Sequence, residues 1–182
     1  MVHYSTLSYN ECNMHNIAFL RAVKKPKGEC HMLNFIEELP GDFPIAGVHC
    51  VPVLENGNLV MVWDRDEQVL TTIGGRLQEG ESLLEGLKRE AIEEAGMVLD
   101  DDILPFASWF WPGTKSYTVF FLAMVRKFVE MPDGFEKTGY VITNFDTALD
   151  MIEKVEGRGD RIEIIRKAGI LAGQIQDAGN SI

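Results

Sequence analysis

The chain has 182 residues, and its content of 46% hydrophobic and 25% charged residues is typical of a globular protein with one good-sized core. Its formal net charge of -11 disfavours a broad nucleic-acid-binding surface, which would need clustered basic residues. No apolar run reaches membrane-spanning length and no secretory signal pattern opens the chain, so we expect no membrane association and a cytoplasmic location.

The three cysteines, Cys12, Cys30 and Cys50, form an odd and sparse set that is typical of reduced thiols. Cys12 and Cys30, together with His15 and His31, carry ligand atoms that zinc prefers, but the paired spacing of a structural zinc site is absent. Adjacent residues such as Cys30 and His31 are also poorly placed to ligate one ion. We therefore favour free thiols over a zinc site.

The N-terminal part of the chain, residues 1–44, is expected to form an arm. It contains apolar patches at residues 17–23, which could form a strand, and at residues 32–39, which precede a turn signal at residues 40–42. The patches are too short for an independent domain. We expect the arm to pack on the main domain, residues 45–182, or on a second subunit, and thus to contribute to a homodimer.

Strands are predicted at residues 45–54 and 59–63, because both stretches are rich in β-branched and other apolar residues. The intervening Asn56 and Gly57 are a strong hairpin signal, since this pair favours a tight turn between antiparallel strands. A short third strand is expected over residues 68–73, leading into a pair of glycines.

The stretch 75–97, GRLQEGESLLEGLKREAIEEAGM, predicts a loop followed by a helix with defined ends. Ser82 with Glu85 three residues later is a capping-box pattern, and Gly96 stands where a helix stop is expected. The predicted apolar stripe of this helix consists of Leu84, Leu87, Ala91 and Ala95.

The same helix carries three carboxylates on one face, because Glu90, Glu93 and Glu94 are spaced i, i+3 and i+4. Adjacent carboxylates repel each other, and Arg89 is the nearest basic residue in the sequence. A hard divalent cation, Mg²⁺ or Mn²⁺, would relieve the repulsion and prefers oxygen ligands. These residues alone equally allow an exposed acidic face.

The rest of the chain alternates strands and helices. A charged loop is expected at residues 100–102, and a helix capped by Asp146 is expected to reach residue 156. The remaining predicted elements are strands at residues 106–111, 116–125 and 139–145 and a last helix over residues 160–172. Strands mixed with helices that cover a sheet predict an α/β fold.

The stretch 75–97 resembles the box of the Nudix hydrolase family, G-x5-E-x7-R-E-U-x-E-E-x-G-U, in which U is a bulky aliphatic residue. Two U positions depart from the pattern, because Ala91 is small and Met97 is unbranched, and Ile73 stands where the family often has proline. The fixed positions all agree, namely Gly75, Glu81, Arg89, Glu90, Glu93, Glu94 and Gly96. The resemblance implies the Nudix fold, an α/β/α sandwich around a central mixed sheet.

The resemblance also implies a chemistry, the Mg²⁺- or Mn²⁺-dependent cleavage of nucleoside diphosphates linked to another group. It makes Glu90, Glu93 and Glu94 the metal ligands, with one of them serving as base in part of the family. Glu81 and Arg89 would form a supporting ion pair. Gly75 would allow close approach of the ligand to the backbone. In several relatives a further acid comes from a late loop, and Glu130 and Glu136 are the candidates.

The aromatic run before Pro112 raises the question of a nucleobase site. Trp109 and Trp111 alternate with Phe110, so both tryptophans share one face of the predicted strand, where either could stack on a base or fill the core. Pro112 favours, slightly, a nucleotide-sugar substrate of the ADP-ribose type. A nucleoside triphosphate pyrophosphohydrolase and a non-catalytic nucleotide-binding protein are the alternatives, and a small nucleotide is the expected partner in each case.

Overall fold

A computed structural model describes residues 32–134 and 137–177. The predictions for a strand at residues 17–23, for a zinc site near the N-terminus and for Glu136 lie outside the described residues. The elements in chain order are β1 (Leu33–Phe35), β2 (Ile45–Val53), β3 (Leu59–Asp64), β4 (Val69–Thr71), β5 (Ile73–Arg76), α1 (Leu83–Ala95), β6 (Met97–Trp111), β7 (Ser116–Phe128), β8 (Lys137–Thr143), α2 (Phe145–Glu156) and α3 (Asp160–Leu171).

The strands form one mixed sheet in the order β1-β6-β7-β2-β3-β4, with β5 paired to β2 and β8 paired to β3. The pair β2 and β7 is parallel, with Val48 opposite Val119, and the other pairings are antiparallel. The first half of β2 pairs with β5, which brings Gly75 opposite Val48. The strand that carries the glycine pair is thus fixed against the middle of the sheet.

Helices cover both faces of the sheet, which confirms the predicted α/β/α sandwich. Strand β2 shows the division, because its side chains alternate between the faces. Val48 and Cys50 pack with the inner stripe of α1, whereas Val51 and Val53 pack with α2 and α3. Among the described helices, α1 (the box helix) alone packs on this face of the sheet. None of the described helices is long and apolar enough to cross a bilayer.

The predicted hairpin is confirmed, since Val53 pairs with Leu59 across a turn in which Gly57 has a φ of 82°.

Two local predictions were wrong. Residues 100–102 belong to β6, where extra residues between Leu99 and Ile103 bulge out of register with β7 instead of forming a loop. Helix α2 is capped by Asn144, which accepts a hydrogen bond from the Thr147 backbone, so the preceding strand ends earlier than expected and Asp146 lies in the first turn.

The described part of the arm contributes one short strand. β1 lies at the edge of the sheet and pairs with β6, with Leu33 opposite Trp109 and Phe35 opposite Ala107. Met32 and Leu33 pack against the cluster that includes α2 and α3. Participation of the arm in a second subunit stays a prediction.

Candidate active site

Helix α1 begins and ends where the sequence predicts. The Ser82 side chain accepts a hydrogen bond from the Glu85 backbone, and the Glu85 side chain accepts one from the Ser82 backbone, which completes the capping box. Gly96 ends the helix in the left-handed conformation, with a φ of 58°. Leu87, Ala91 and Ala95 are buried against the sheet, and Leu83 rather than Leu84 packs beside them. This packing turns the acidic face of the helix toward residues 74–81, here called the glycine loop.

Arg89 is the centre of the polar contacts on that face. Its Nε and Nη2 atoms donate to the two carboxylate oxygens of Glu81 at 2.7 and 3.0 Å. Its Nη1 atom donates to Glu90 at 2.8 Å and to Glu93 at 2.9 Å, and Nη2 also donates to the Arg76 carbonyl at 3.1 Å. The arginine thus serves three carboxylates, whereas the sequence suggested only its pairing with Glu81.

The fourth box carboxylate, Glu94, points to the glycine pair. It is 3% exposed and accepts a hydrogen bond from the Gly74 backbone at 2.9 Å. Gly74 has a φ of 145°, and a Cβ there would overlap the Val48 carbonyl and the His49 backbone. A Cβ on Gly75 would fall 2.6 Å from a carboxylate oxygen of Glu90. Both glycines are therefore required by close approach, one to the sheet and one to the box helix.

The comparison with known families bears directly on this loop and helix. A family model described as the NUDIX domain matches residues 44–162, which include the whole of β2 to α2. The chain belongs to the Nudix family. A comparison with functionally curated proteins gives no significant match.

Solved Nudix structures share the fold at low sequence identity. A NUDIX hydrolase from Nitrosomonas europaea is 18% identical with a TM-score of 0.54, over 76% of this chain and 99% of the other. A Bacillus subtilis pyrophosphohydrolase is 17% identical with a TM-score of 0.52, over 61% and 70% of the two chains. An Ap4A hydrolase from C. elegans is 17% identical with a TM-score of 0.50, over 70% and 98%.

The Nudix box residues carry the type of ligand atom that a divalent ion prefers. Nudix hydrolases generally use a divalent metal ion, and Glu90, Glu93 and Glu94 offer carboxylate oxygens, the donors that Mg²⁺ and Mn²⁺ prefer. The missing Cβ of Gly75 leaves room beside Glu90. Among the described side chains, however, no three of His, Cys, Asp or Glu stand close enough together to hold a metal. Glu90 and Glu93 instead accept hydrogen bonds from Arg89, and Glu94 accepts one from the Gly74 backbone.

The two tryptophans lie on the face of the Nudix sheet opposite the box helix. Trp109 is 8% exposed within the cluster formed with α2 and α3, and Trp111 is half-buried beside it, with ring centroids 5.8 Å apart. The Trp111 indole donates to the Thr118 hydroxyl at 2.8 Å. No described hydrogen bond or ring contact joins either tryptophan to the box glutamates, so stacking on a base stays a prediction for both.

The late-loop acid Glu130 is exposed and follows β7. Its neighbour Val129 donates a backbone hydrogen bond of 2.7 Å to the Gly96 carbonyl, which places this loop at the C-terminal end of the Nudix helix. The structure thus brings the loop to the helix, and a role for the Glu130 carboxylate stays a prediction.

Sequence reasoning missed two sets of polar contacts to residues 70–72, which precede the glycine loop. The His49 ring shares a 3.0 Å hydrogen bond with the buried Thr72 hydroxyl. On α3, Arg161 donates to Glu156 at 2.6 Å and to the Leu70 carbonyl at 2.7 Å, with both ionic side chains about 5% exposed or less. A polar His49 inside an apolar strand was a usable signal, whereas nothing local marked Arg161 as buried.

Gly86 allows the glycine loop to lie against the box helix. A Cβ at this buried position would fall 2.5 Å from the Leu77 side chain and 3.0 Å from a Glu81 oxygen, both in the loop rather than in a neighbouring strand. The glycine costs the helix about 1 kcal/mol relative to alanine. Close approach of the loop is the compensating gain.

Replacement of Gly86 by leucine is expected to push Leu77 and Glu81 away and to weaken the hold of Glu81 on Arg89. Because both displaced groups are side-chain ends, the melting temperature should stay within roughly 5 °C of wild type. Metal affinity and turnover should each fall by about tenfold. Thermal melts and Mn²⁺ titration test this, with Gly86→Ala as the smaller step. Unfolding, or normal metal binding and turnover, would contradict the proposed role.

The ion pair with Arg89 also predicts a pH dependence of stability. Hydrogen bonds from Arg89, and then from the Gln78 backbone, lower the pKa of Glu81 to about 2. A carboxyl group whose pKa is lower in the folded state stabilises the protein above its unfolded pKa of about 4.3. That contribution is lost as the pH falls toward 2. Between about pH 5 and pH 2, wild type should therefore lose melting temperature more steeply than Glu81→Gln. Parallel melting curves across this window would show that the pairing is absent in solution.

Proposed function

We propose that the protein is a divalent-metal-dependent Nudix hydrolase that cleaves the pyrophosphate bond of a nucleoside diphosphate linked to another group. The observation that carries the proposal is that Arg89 joins Glu81, Glu90 and Glu93 beside the Gly74–Gly75 strand, while Glu94 accepts a hydrogen bond from the Gly74 amide. Every fixed residue of the box is present. A non-catalytic binding role is therefore disfavoured.

Each residue has a proposed part. Glu90, Glu93 and Glu94 would hold Mg²⁺ or Mn²⁺, which when bound neutralises phosphate charge and lowers the pKa of a bound water. Glu94 also orients the Gly74 amide, because it accepts that hydrogen bond in a buried position. Glu81 fixes Arg89 from the loop side. Gly75 lets a phosphate approach the backbone where a side chain would collide with Glu90.

The proposed substrate is a nucleotide sugar of the ADP-ribose type. Support comes from Pro112, which follows the aromatic pair Trp109 and Trp111 at a position that favours this branch of the family. A nucleoside triphosphate pyrophosphohydrolase is the second candidate, because a tryptophan followed by proline before an apolar strand also occurs in relatives of that class.

A turnover screen separates these candidates. The full-length protein would be incubated with nucleotide sugars, dinucleotides and oxidised nucleoside triphosphates, each with Mg²⁺, with Mn²⁺ and with excess chelator. The expected result is release of nucleoside monophosphate from a nucleotide sugar, only when metal is present. Release of pyrophosphate from a triphosphate would favour the second candidate. No turnover of any compound by a folded, metal-loaded protein would overturn the proposal.

A further inference from the structure

Three aromatic rings contact one another beside the start of β2. The ring centroids of Phe43 and Phe110 are 5.2 Å apart, and those of Phe110 and Tyr117 are 5.0 Å apart. The Phe43 ring is 38% exposed, and the other two rings are half-buried. These three residues, here called the aromatic cluster, therefore present an apolar surface to solvent.

The aromatic cluster lies on the same face of the sheet as the box helix. Tyr117 packs against the buried residues under α1, which include Leu87. Phe110 is opposite Tyr117 in the pairing of β6 with β7, and directly opposite residues share a face. Because neighbouring residues of a strand alternate between faces, Phe110 points away from the side that holds Trp109 and Trp111. The aromatic cluster is thus on the side of the box helix, and the two tryptophans are not.

The start of β2 also connects the aromatic cluster to the glycine loop. The Leu77 backbone donates a hydrogen bond of 3.0 Å to the Ala46 carbonyl. Phe43 precedes Ala46 by three residues, so their Cα atoms are at most about 11 Å apart. Leu77 and Tyr117 pack against the same buried residues. The aromatic cluster and the glycine loop are therefore close enough for one nucleotide to contact both.

A carboxylate borders the aromatic cluster. The Tyr117 hydroxyl donates a hydrogen bond of 3.3 Å to Oδ2 of the exposed Asp42. An ionised carboxylate accepts hydrogen bonds through both oxygens and donates none. A heterocycle stacked on Phe43 would therefore gain a hydrogen bond to Asp42 if its edge carried an amino group, and would gain none if it carried a carbonyl oxygen there.

We propose that the aromatic cluster binds the nucleobase of the substrate, with Phe43 as the stacking surface and Asp42 as the acceptor for an amino group of the base. The inference rests on the proposed function for the class of ligand, a nucleotide. Stacking tolerates every base, because each base has a π face, so Asp42 makes the selection among bases. The expected ligand carries adenine or cytosine rather than hypoxanthine or uracil.

The test is the binding of free nucleosides, which carry the base without phosphate and need no metal. Adenosine and inosine would be titrated into the full-length protein in excess chelator and followed by saturation-transfer difference NMR. We expect wild type to bind adenosine at least about threefold more tightly than inosine. Phe43→Ala should weaken adenosine binding by about fivefold or more, because the stacking surface is lost. Asp42→Ala should abolish the preference for adenosine.

Phe35→Ala is the matched control, because Phe35 is also an exposed phenylalanine but lies on the other face of the sheet. It is 48% exposed, its partner Ala107 packs with α2 and α3, and the Lys167 amine is 5.7 Å from its ring centroid. Its adenosine affinity should equal that of wild type. The Phe43→Ala protein should melt within roughly 5 °C of wild type, since the ring is exposed. If it does not fold, Phe43→Leu keeps an apolar side chain without the ring.

The outcomes separate this inference from the proposed function. Unchanged adenosine binding in a folded Phe43→Ala protein, or an equal loss in Phe35→Ala, would overturn the inference and leave the proposed hydrolase intact. Absence of nucleoside binding by wild type would also overturn it. Equal affinity of wild type for adenosine and inosine would overturn the role of Asp42. Loss of adenosine binding in Phe43→Ala, in a protein that turns over no compound of the screen, would support the base site and overturn the hydrolase.

Discussion

Glu93→Gln and Glu94→Gln are each expected to lower kcat by at least about 100-fold while the protein remains folded. The substitution removes only the negative charge, because glutamine keeps the size of the side chain and an oxygen that can accept a hydrogen bond. For Glu94 that oxygen can still accept from the Gly74 amide, so the buried contact survives. Steady-state kinetics on the substrate found by the screen, with melting curves for each variant, measure both effects.

Asp101→Asn is the matched control for these two variants. It also replaces a carboxylate by an amide, but at a side chain on β6 that is 73% exposed and paired with Lys88 of the box helix. Its turnover should match wild type. Rates near wild type for both Glu93→Gln and Glu94→Gln, or full turnover of wild type in excess chelator, would show that the box glutamates do not bind a catalytic metal.

Alanine is expected to lower stability at Gly74 and turnover at the adjacent Gly75. At Gly74 the new Cβ meets rigid backbone of Val48 and His49 at a φ that alanine avoids, so the protein should lose roughly 3 kcal/mol or more of stability. At Gly75 the nearest atoms belong to the end of the flexible Glu90 side chain, which can move aside. Gly75→Ala should therefore fold normally and lose about tenfold or more in turnover, because Glu90 is displaced.

Chemical denaturation and kinetics on the two variants test this contrast. Gly41→Ala is the control, since a Cβ there meets nothing within 4 Å, and it should change neither stability nor turnover. Equal stability of the Gly74→Ala and Gly75→Ala proteins would mean that the close contact of Gly74 with β2 is not maintained in solution. Normal turnover of Gly75→Ala would mean that the position of Glu90 next to this glycine has no consequence for catalysis.

The features that the sequence predicted well depend on neighbouring residues. Ser82 and Glu85 cap each other across one helical turn. Gly96 adopts the left-handed conformation that ends the helix, and Gly57 forms the turn between two adjacent strands. In each case the stabilising contact joins residues no more than six positions apart in the chain. The alternation that put Trp109 and Trp111 on one face of a strand is local in the same sense, and both pack in the same cluster.

The features that escaped prediction depend on competition or on distance. Asn144 and Asp146 are both good capping residues, and β8 stays paired with β3 up to Thr143, so that α2 begins directly after Asn144. The bulge near residue 100 reflects the pairing of β6 with β7 rather than any local turn signal. The choice of Arg89 among three carboxylates depends on how the loop folds back on the helix, and sequence spacing alone allows several pairings.

The buried contact between α3 and β4 has a consequence for the order in which the protein is completed during synthesis. Leu70 precedes the glycine loop, yet its carbonyl is satisfied by Arg161, 91 residues later in the chain. A contact of such long sequence separation forms late, because a large loop must close before it is made. Strand β4 therefore gains this contact only after α3 has left the ribosome.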